Sequence, residues 1–366
     1  MLFPPASCQR LVVKVGSALL VGADGAVRRD WLASLAADIA VRHRDGQQVV
    51  VVSSGAIALG ARRLGLAKGG RGSLEDAQAA AATGQIALAQ AWAGLLDDQG
   101  LTAAQILVTL GDLEERRRYL NASATLGRLL GLGVVPVVNE NDSVATEEIR
   151  FGDNDRLAAR VAVAAGAGGL VLLSDVDGLY DRNPALPGAT HLSRVERIDA
   201  AIEAMADSGS ASGMGSGGMA SKVAAARIAT GAGVAMAIAS GKVASPLSLA
   251  ARHTLFVADR TAPARKAWLA GGLTAGGTIH VDAGAAAALR SGGSLLAAGA
   301  LRIDGRFQRG DVIAVAGPDG TIARGLAEYD ADDAARLIGT RSDEQAAILG
   351  YAPRAALVHR NHLALL

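Results

Sequence analysis

The chain has 366 residues and a formal net charge of +1, with 36 basic against 35 acidic side chains and half of its residues apolar. Near-neutrality excludes bulk attraction to nucleic acid or to an anionic membrane surface. One cysteine, Cys8, excludes a disulfide framework, and the six scattered histidines show no pair at metal-ligand spacing.

The first ten residues, MLFPPASCQR, lack the basic and apolar regions of a secretory signal. The longest apolar stretch, Val161 to Leu173, is too short to span a bilayer and contains glycines. The expectation is a cytoplasmic protein without a membrane part. From residue 10 to about 260, strand and helix patterns alternate. RLVVKVG (10–16) reads as a buried strand and 30–44 as an amphipathic helix. QQVVVVSSG (47–55) reads as a strand and loop opening a helix, and QILVTL (105–110) as a further strand. A helix near 117–131 leads to GVVPVVNE, one near 154–165 to GLVLLSDVDGLY, and one at 220–231 to GVAMAIASG. Continuous apolar strands followed by helices predict a mostly parallel three-layer α/β/α sandwich, with ligands beyond the C-terminal strand ends. After residue 275 short strands with Asp-Gly and Pro-Asp-Gly turns predict a small β-barrel-like domain with helices at 283–290 and 331–338. The expected domains are 1–260 and 276–361, joined by 261–275.

Only five of the 36 basic residues are lysines: Lys14, Lys68, Lys222, Lys242 and Lys266. Lysine is a compact charge that fits between phosphate oxygens, which makes each one worth inspecting in so arginine-rich a chain. Lys14 ends the first strand just before Gly16; it is either an ordinary strand-end lysine or a buried one that needs an anion. Residues 208–222, SGSASGMGSGGMASK, precede a helix with Lys222 in its first turn, where cations are disfavoured. The formal G-x-G-x-x-G from Gly213 to Gly218 follows no strand, so a dinucleotide fingerprint fails its context. Glycine-rich backbone at a helix start still suits an anion, although a plain linker has the same composition. Ser53-Ser54-Gly55 suits an anion, or caps a helix. Residues 136–155 hold six acids and one arginine, either a solvated loop or a site for a cationic group. Asp175 can accept from a nucleoside, and Asp177-Gly178 is good turn chemistry.

The order of these segments is less ambiguous than any of them alone. Lys14-x-Gly16-Ser17, Ser53-Ser54-Gly55-Ala56, Asn139-Glu140-Asn141-Asp142, Gly152-Asp153-Asn154-Asp155, Ser174-Asp175-x-Asp177-Gly178-Leu179-Tyr180 and Gly217-Gly218-Met219-x-x-Lys222 together resemble the amino acid kinase superfamily. The Asn-Glu-Asn-Asp and Gly-Asp-Asn-Asp elements narrow the resemblance to its glutamate-kinase branch, whose members often carry a C-terminal PUA domain.

The resemblance implies transfer of the ATP γ-phosphoryl group to the γ-carboxylate of L-glutamate, with Mg²⁺ on the nucleotide. It implies that Lys14 and Lys222 neutralise the phosphates and that Asp155 holds both. Ser54, Gly55, Asn139, Asp142 and Asn154 would bind glutamate, Asp142 taking the ammonium group while Ser54 and the Asn amides donate to carboxylates. Ser174, Asp175 and the loop Ser216, Gly217, Gly218, Met219, Ala220, Ser221 and Lys222 would bind ATP. Ala220 stands where some relatives have a hydroxyl, which removes a side-chain phosphate contact, and Glu147 and Glu148 read as a solvated loop face. Feedback inhibition by proline, a homo-oligomer and a glutamyl-phosphate reductase partner are further implications. The rival readings are a kinase for N-acetylglutamate, aspartate or a nucleoside monophosphate, and an RNA-binding module. The acidic loop fits neither an acylated amino group nor a monophosphate. Residues 276–366 carry nine Arg, no Lys and ten acids, a balance of −1 that opposes RNA binding.

Overall fold

A computed structural model describes the chain except residues 1, 23–24, 145–153, 209–217, 249–251 and 260–274. Two compact units are present. The first comprises Met1–Glu114 and Asn121–Asp259, the second Glu115–Leu120 and Arg260–Leu366.

The first unit is built on strands β1 (Arg10–Val15), β2 (Gln48–Val52), β3 (Ala103–Val108), β4 (Val135–Glu140), β5 (Gly169–Ser174), β8 (Arg194–Val195), β9 (Ala235–Ser240) and β10 (His253–Phe256). They form one eight-stranded sheet in the order β3-β4-β2-β1-β5-β9-β10-β8. From β3 to β9 every pairing is parallel; β10 pairs antiparallel with β9, and β8 pairs in parallel with β10, so these two strands run against the rest. β6 (Leu179–Tyr180) and β7 (His191–Leu192) make a separate small hairpin. Every residue of β4 and β5 is buried, as continuous Val and Leu runs require when both faces of a sheet are covered. The helices of this unit are α1 (Arg29–Arg44), α2 (Ala56–Leu64), α3 (Leu74–Asp97), α4 (Arg116–Gly131) from Asn121 onward, α5 (Asn154–Ala165), α6 (Ala200–Ser208) and α7 (Met219–Gly231). Val13, Val15, Leu35, Ile39, Val51 and Trp92 belong to one buried cluster on one side of the sheet.

Helix α3, 24 residues long, answers to no segment picked out by apolar periodicity. Its sequence LEDAQAAAATGQIALAQAWAGLLD is alanine-rich on most faces, so no stripe stands out. Its start is nonetheless encoded: the Ser73 hydroxyl caps it by accepting from the Asp76 N–H. The strand β10 is a second element not picked out in the sequence, and its antiparallel pairing with β9 is compatible with the mostly parallel sheet expected.

Helices α2 and α3 meet backbone to backbone. A Cβ on Gly60 would lie 1.7 Å from the Ala80 carbonyl oxygen, and one on Gly84 would lie 1.8 Å from that of Ala56. Each glycine is therefore the condition for the other helix to come so near.

The second unit has a five-stranded sheet, β12 (Ala300–Gly305), β11 (Gly277–Val281), β13 (Val312–Gly317), β14 (Gly320–Leu326) and β15 (Leu363–Leu365), in that order. β11 and β13 pair in parallel and the remaining neighbours antiparallel. Helices α8 (Ala283–Arg290) and α9 (Ala331–Leu337) supply Leu289 and Leu337 to a core with Ile279, Ile313, Val315 and Val358.

Replacing Gly by Ala inside a helix ordinarily gains up to about 1 kcal/mol. Gly60→Ala and Gly84→Ala should do the opposite and cost about 2 kcal/mol or more, because the added methyl group must separate the helices. Urea denaturation checks the sign; stabilisation by either substitution would contradict the backbone contact.

Candidate active site

The parallel register places the C-terminal ends of β4, β2, β1, β5 and β9 along one edge of the sheet. The segments picked out in the sequence follow these ends directly. Lys14 lies on β1, Ser53 and Ser54 follow β2, Asn139 is the penultimate residue of β4 with Asp142 beyond its end, and Ser174 ends β5.

Lys14 is buried, and its Nζ lies 2.7 Å from Asp155 Oδ1. Lys222 is also buried, with Nζ 2.9 Å from Asp155 Oδ2. The two lysines come from β1 and from the first turn of α7, and Asp155 is the second residue of α5. The structure thus brings together the three residues expected to act on the phosphates. One carboxylate faces two ammonium groups in a largely dry place. Burial pushes the Asp155 carboxyl upward, but Lys14 and Lys222 outweigh it and hold it below the ordinary carboxylate range. Gly218 precedes α7 in an extended conformation, and no side chain caps the helix. The first N–H groups of α7, from Met219 and Ala220, point out of the helix end. Such a terminus favours an anion. Ser216 and Gly217 lie outside the described residues.

Several further polar groups of the site are acceptors. Asn139 donates from Nδ2 to Gln85 Oε1 at 2.7 Å, and its Oδ1 is buried without a hydrogen-bond partner. Asn154, first residue of α5, likewise has its Oδ1 buried and unpartnered. Asp142 is half-buried, and burial pushes its pKa up to about 6 against the opposing pull of Arg71. A cavity of about 230 Å³ lies beside it, lined among others by Gln85, Leu107, Glu140 and Asp142.

The hydrogen-bond directions differ from the sequence expectation in two places. Ser54 Oγ donates to the Val15 carbonyl at 2.7 Å, which uses its one proton to tie β1 to the loop after β2. Neither serine caps α2: the residue before that helix is Gly55 at φ 96°, and Ser53 Oγ accepts from Trp92 Nε1 at 2.9 Å. A Cβ on Gly55 would meet Val21 Cγ2 at 3.1 Å, and its φ lies where side chains are disfavoured, so glycine is required twice over. With the Ser54 proton and an Asn139 N–H engaged inside the protein, the first-turn backbone N–H groups of α2 remain as donors for a carboxylate.

Ser174 is buried and donates to Asp175 Oδ1 at 3.0 Å, while Asp175 itself is exposed. Asp177 accepts from the Tyr180 hydroxyl at 3.0 Å and pairs with Arg252, and Gly178 is backed against His191 and Thr254. That half of the segment is a turn, as its composition suggests. Glu147, Glu148 and Asp153 lie outside the described residues. Gln85 and Trp92 were not singled out from the sequence. The only pointer to them is Gly84, a glycine inside a helix where close approach is the usual reason.

Among the described residues, no group of three His, Cys, Asp or Glu can hold a metal ion, and no helix is long and apolar enough to cross a membrane. Residues 9–240 match the model of the amino acid kinase family, and residues 277–349 that of the PUA domain. The chain is 73% identical to the glutamate 5-kinase of Sphingopyxis alaskensis over the whole length of both. It is 64% identical to that of Novosphingobium aromaticivorans, over 98% of this chain and 97% of the relative. Against the glutamate 5-kinase of Zymomonas mobilis the identity is 61%, over 100% and 93%. With its family model matched across the whole parallel sheet and with relatives this similar along their full length, the chain belongs to the amino acid kinase family.

Proposed function

We propose that the protein transfers the γ-phosphoryl group of ATP to the γ-carboxylate of L-glutamate, giving L-glutamyl 5-phosphate and ADP, the first step of proline biosynthesis. The observation that carries this reading is the buried Lys14–Asp155–Lys222 group, supported by relatives named glutamate 5-kinase.

A γ-carboxylate, of reference pKa about 4.3, is already ionised at neutral pH, so the nucleophile needs no general base. One carboxylate oxygen forms a bond to Pγ as the bond from Pγ to the bridging oxygen of ADP breaks, and no proton moves. The obstacle is charge. Two like charges about 4 Å apart repel by roughly 4 kcal/mol at an effective dielectric near 20. The residues have to position the reactants and neutralise the transferring group. Lys14 and Lys222, fixed at 2.7 and 2.9 Å from Asp155, supply positive charge that needs no rearrangement during the reaction. The α7 N-terminus, with Ser174 and Asp175, completes the nucleotide side. Mg²⁺ neutralises phosphate charge when bound. Both Asp155 oxygens already face lysines, so the donor set suits a metal carried mainly by the nucleotide's own oxygens.

On the amino-acid side, the ammonium group of glutamate takes Asp142 with the buried oxygens of Asn139 and Asn154. Its α-carboxylate takes the N–H groups at the start of α2. An N-acylated acid has no cation for Asp142, which favours the free amino acid. Proline inhibition, a homo-oligomer and a reductase that consumes the labile acyl phosphate belong to the same proposal.

The test is to incubate the protein with MgATP and hydroxylamine, which traps an acyl phosphate as a coloured hydroxamate. L-glutamate should give signal, suppressed by proline, while L-aspartate and N-acetyl-L-glutamate should not. Signal with another acid alone would move the substrate. Lys14→Ala and Lys222→Ala should each lower kcat by about 100-fold or more, the scale of losing one transition-state charge contact, with glutamate KM little changed. Asp155→Ala should do the same and also lower stability by about 3 kcal/mol, since it strands two buried cations. Urea denaturation reads that second effect.

The pH dependence follows from Asp142, which is raised to about 6. It is ionised above that value and neutral below, while the substrate ammonium stays charged throughout. Glutamate KM should therefore rise about tenfold between pH 7 and pH 5, by the titration of a single group. Asp142→Asn should raise KM at pH 7 and flatten the profile; a slope that survives the substitution would remove Asp142 from ammonium binding.

A further inference from the structure

The hydrogen bond from Asn139 Nδ2 to Gln85 Oε1, at 2.7 Å, has no part in the scheme above. A side-chain amide is nearly symmetric in shape but opposite in chemistry at its two ends: turned over, it presents N–H donors where it had presented an acceptor. Asn139 is 1% exposed, so its orientation is decided by protein neighbours and not by water. The neighbour is Gln85, on a helix whose backbone is itself held. Gln85 follows Gly84, whose backbone lies against Ala56, and two turns further along the same helix Trp92 donates to Ser53 at 2.9 Å. Helix α3 is thus tied to the site twice, at Asn139 of β4 and at Ser53 after β2.

We infer that Gln85 is a positioning residue that holds the Asn139 amide with its oxygen available to the substrate ammonium group, and so helps to select a free amino acid over its N-acylated counterpart. The inference rests on the glutamate-kinase reading of the site. An ammonium group brings three N–H donors, and the site answers with acceptors: the Asp142 carboxylate and the buried, unpartnered oxygens of Asn139 and Asn154. A reversed Asn139 would turn N–H toward N–H and remove one of them. An N-acyl nitrogen has one N–H and no charge, so the same reversal would cost it far less.

The test uses residues that differ in what they can offer position 85. Glutamate can only accept, as the Gln85 oxygen does here, whereas lysine can only donate and would draw the Asn139 oxygen towards itself. In the hydroxamate assay, Gln85→Glu should keep glutamate KM within about threefold of wild type, whereas Gln85→Lys and Gln85→Leu should raise it by about tenfold or more, the scale of a lost hydrogen bond to a charged group. Saturating kcat should stay within about threefold for all of them, and the preference for glutamate over N-acetyl-L-glutamate should fall with the rise in KM. Equal impairment of Gln85→Glu and Gln85→Lys, or wild-type KM in both, would overturn the role. Thermal melting separates a folding failure of Gln85→Leu from this outcome, and the Glu and Lys pair decides the matter without it. A folded wild type that makes no hydroxamate from glutamate would sink the functional reading and this inference with it. An active wild type with insensitive variants would sink this inference alone.

Discussion

The site depends on one carboxylate shared by two ammonium groups in a place that excludes water. Asp155 is 1% exposed, and Lys14 and Lys222 are buried beside it. Three charges can be desolvated together only if their geometry is exact enough for attraction to offset the loss of hydration. That requirement fixes the relative positions of β1, α5 and α7, which are far apart in sequence. It also gathers two positive charges at one point beside the start of α7.

The two ends of the site are opposite in polarity. Towards the lysines and the start of α7 the protein presents charge and backbone N–H groups. Towards Asp142 and Asn139 it presents oxygen. A substrate with an ammonium at one end and a carboxylate at the other can lie across such a gradient in only one direction. For the proposed glutamate substrate, that direction would carry the distal carboxylate to the nucleotide. Orientation therefore follows from the distribution of donors and acceptors before any contact of shape is considered.

Much of this was legible in the sequence. Continuous Val and Leu runs gave the parallel sheet, and each segment that met a strand's C-terminal end held the polar residues now found there. Lys14 and Lys222 stood out because so few lysines compete with them. Helix α3 was not legible, because alanine on most faces leaves no amphipathic stripe to read. Nor were the directions of the hydrogen bonds. Ser54 and Asn139 were expected to donate to a ligand, yet one donates to Val15 and the other to Gln85. Residue type states what a side chain can offer, and only its neighbours decide which part of that offer is already taken. Gln85 escaped notice for the same reason: its importance lies in a partner 54 positions away.

The contact between α2 and α3 has a mechanical consequence. Where helices meet through side chains, rotamers can change and let one helix slide over the other. Gly60 and Gly84 remove that lubricating layer, and the carbonyls of Ala80 and Ala56 sit where side chains would be. The pair should move as one block, carrying the loop after β2 at one end and Gln85 on its flank. Whatever stiffness the amino-acid side of the site possesses is thus set by two missing methyl groups, and any adjustment to ligand must come from segments outside that block.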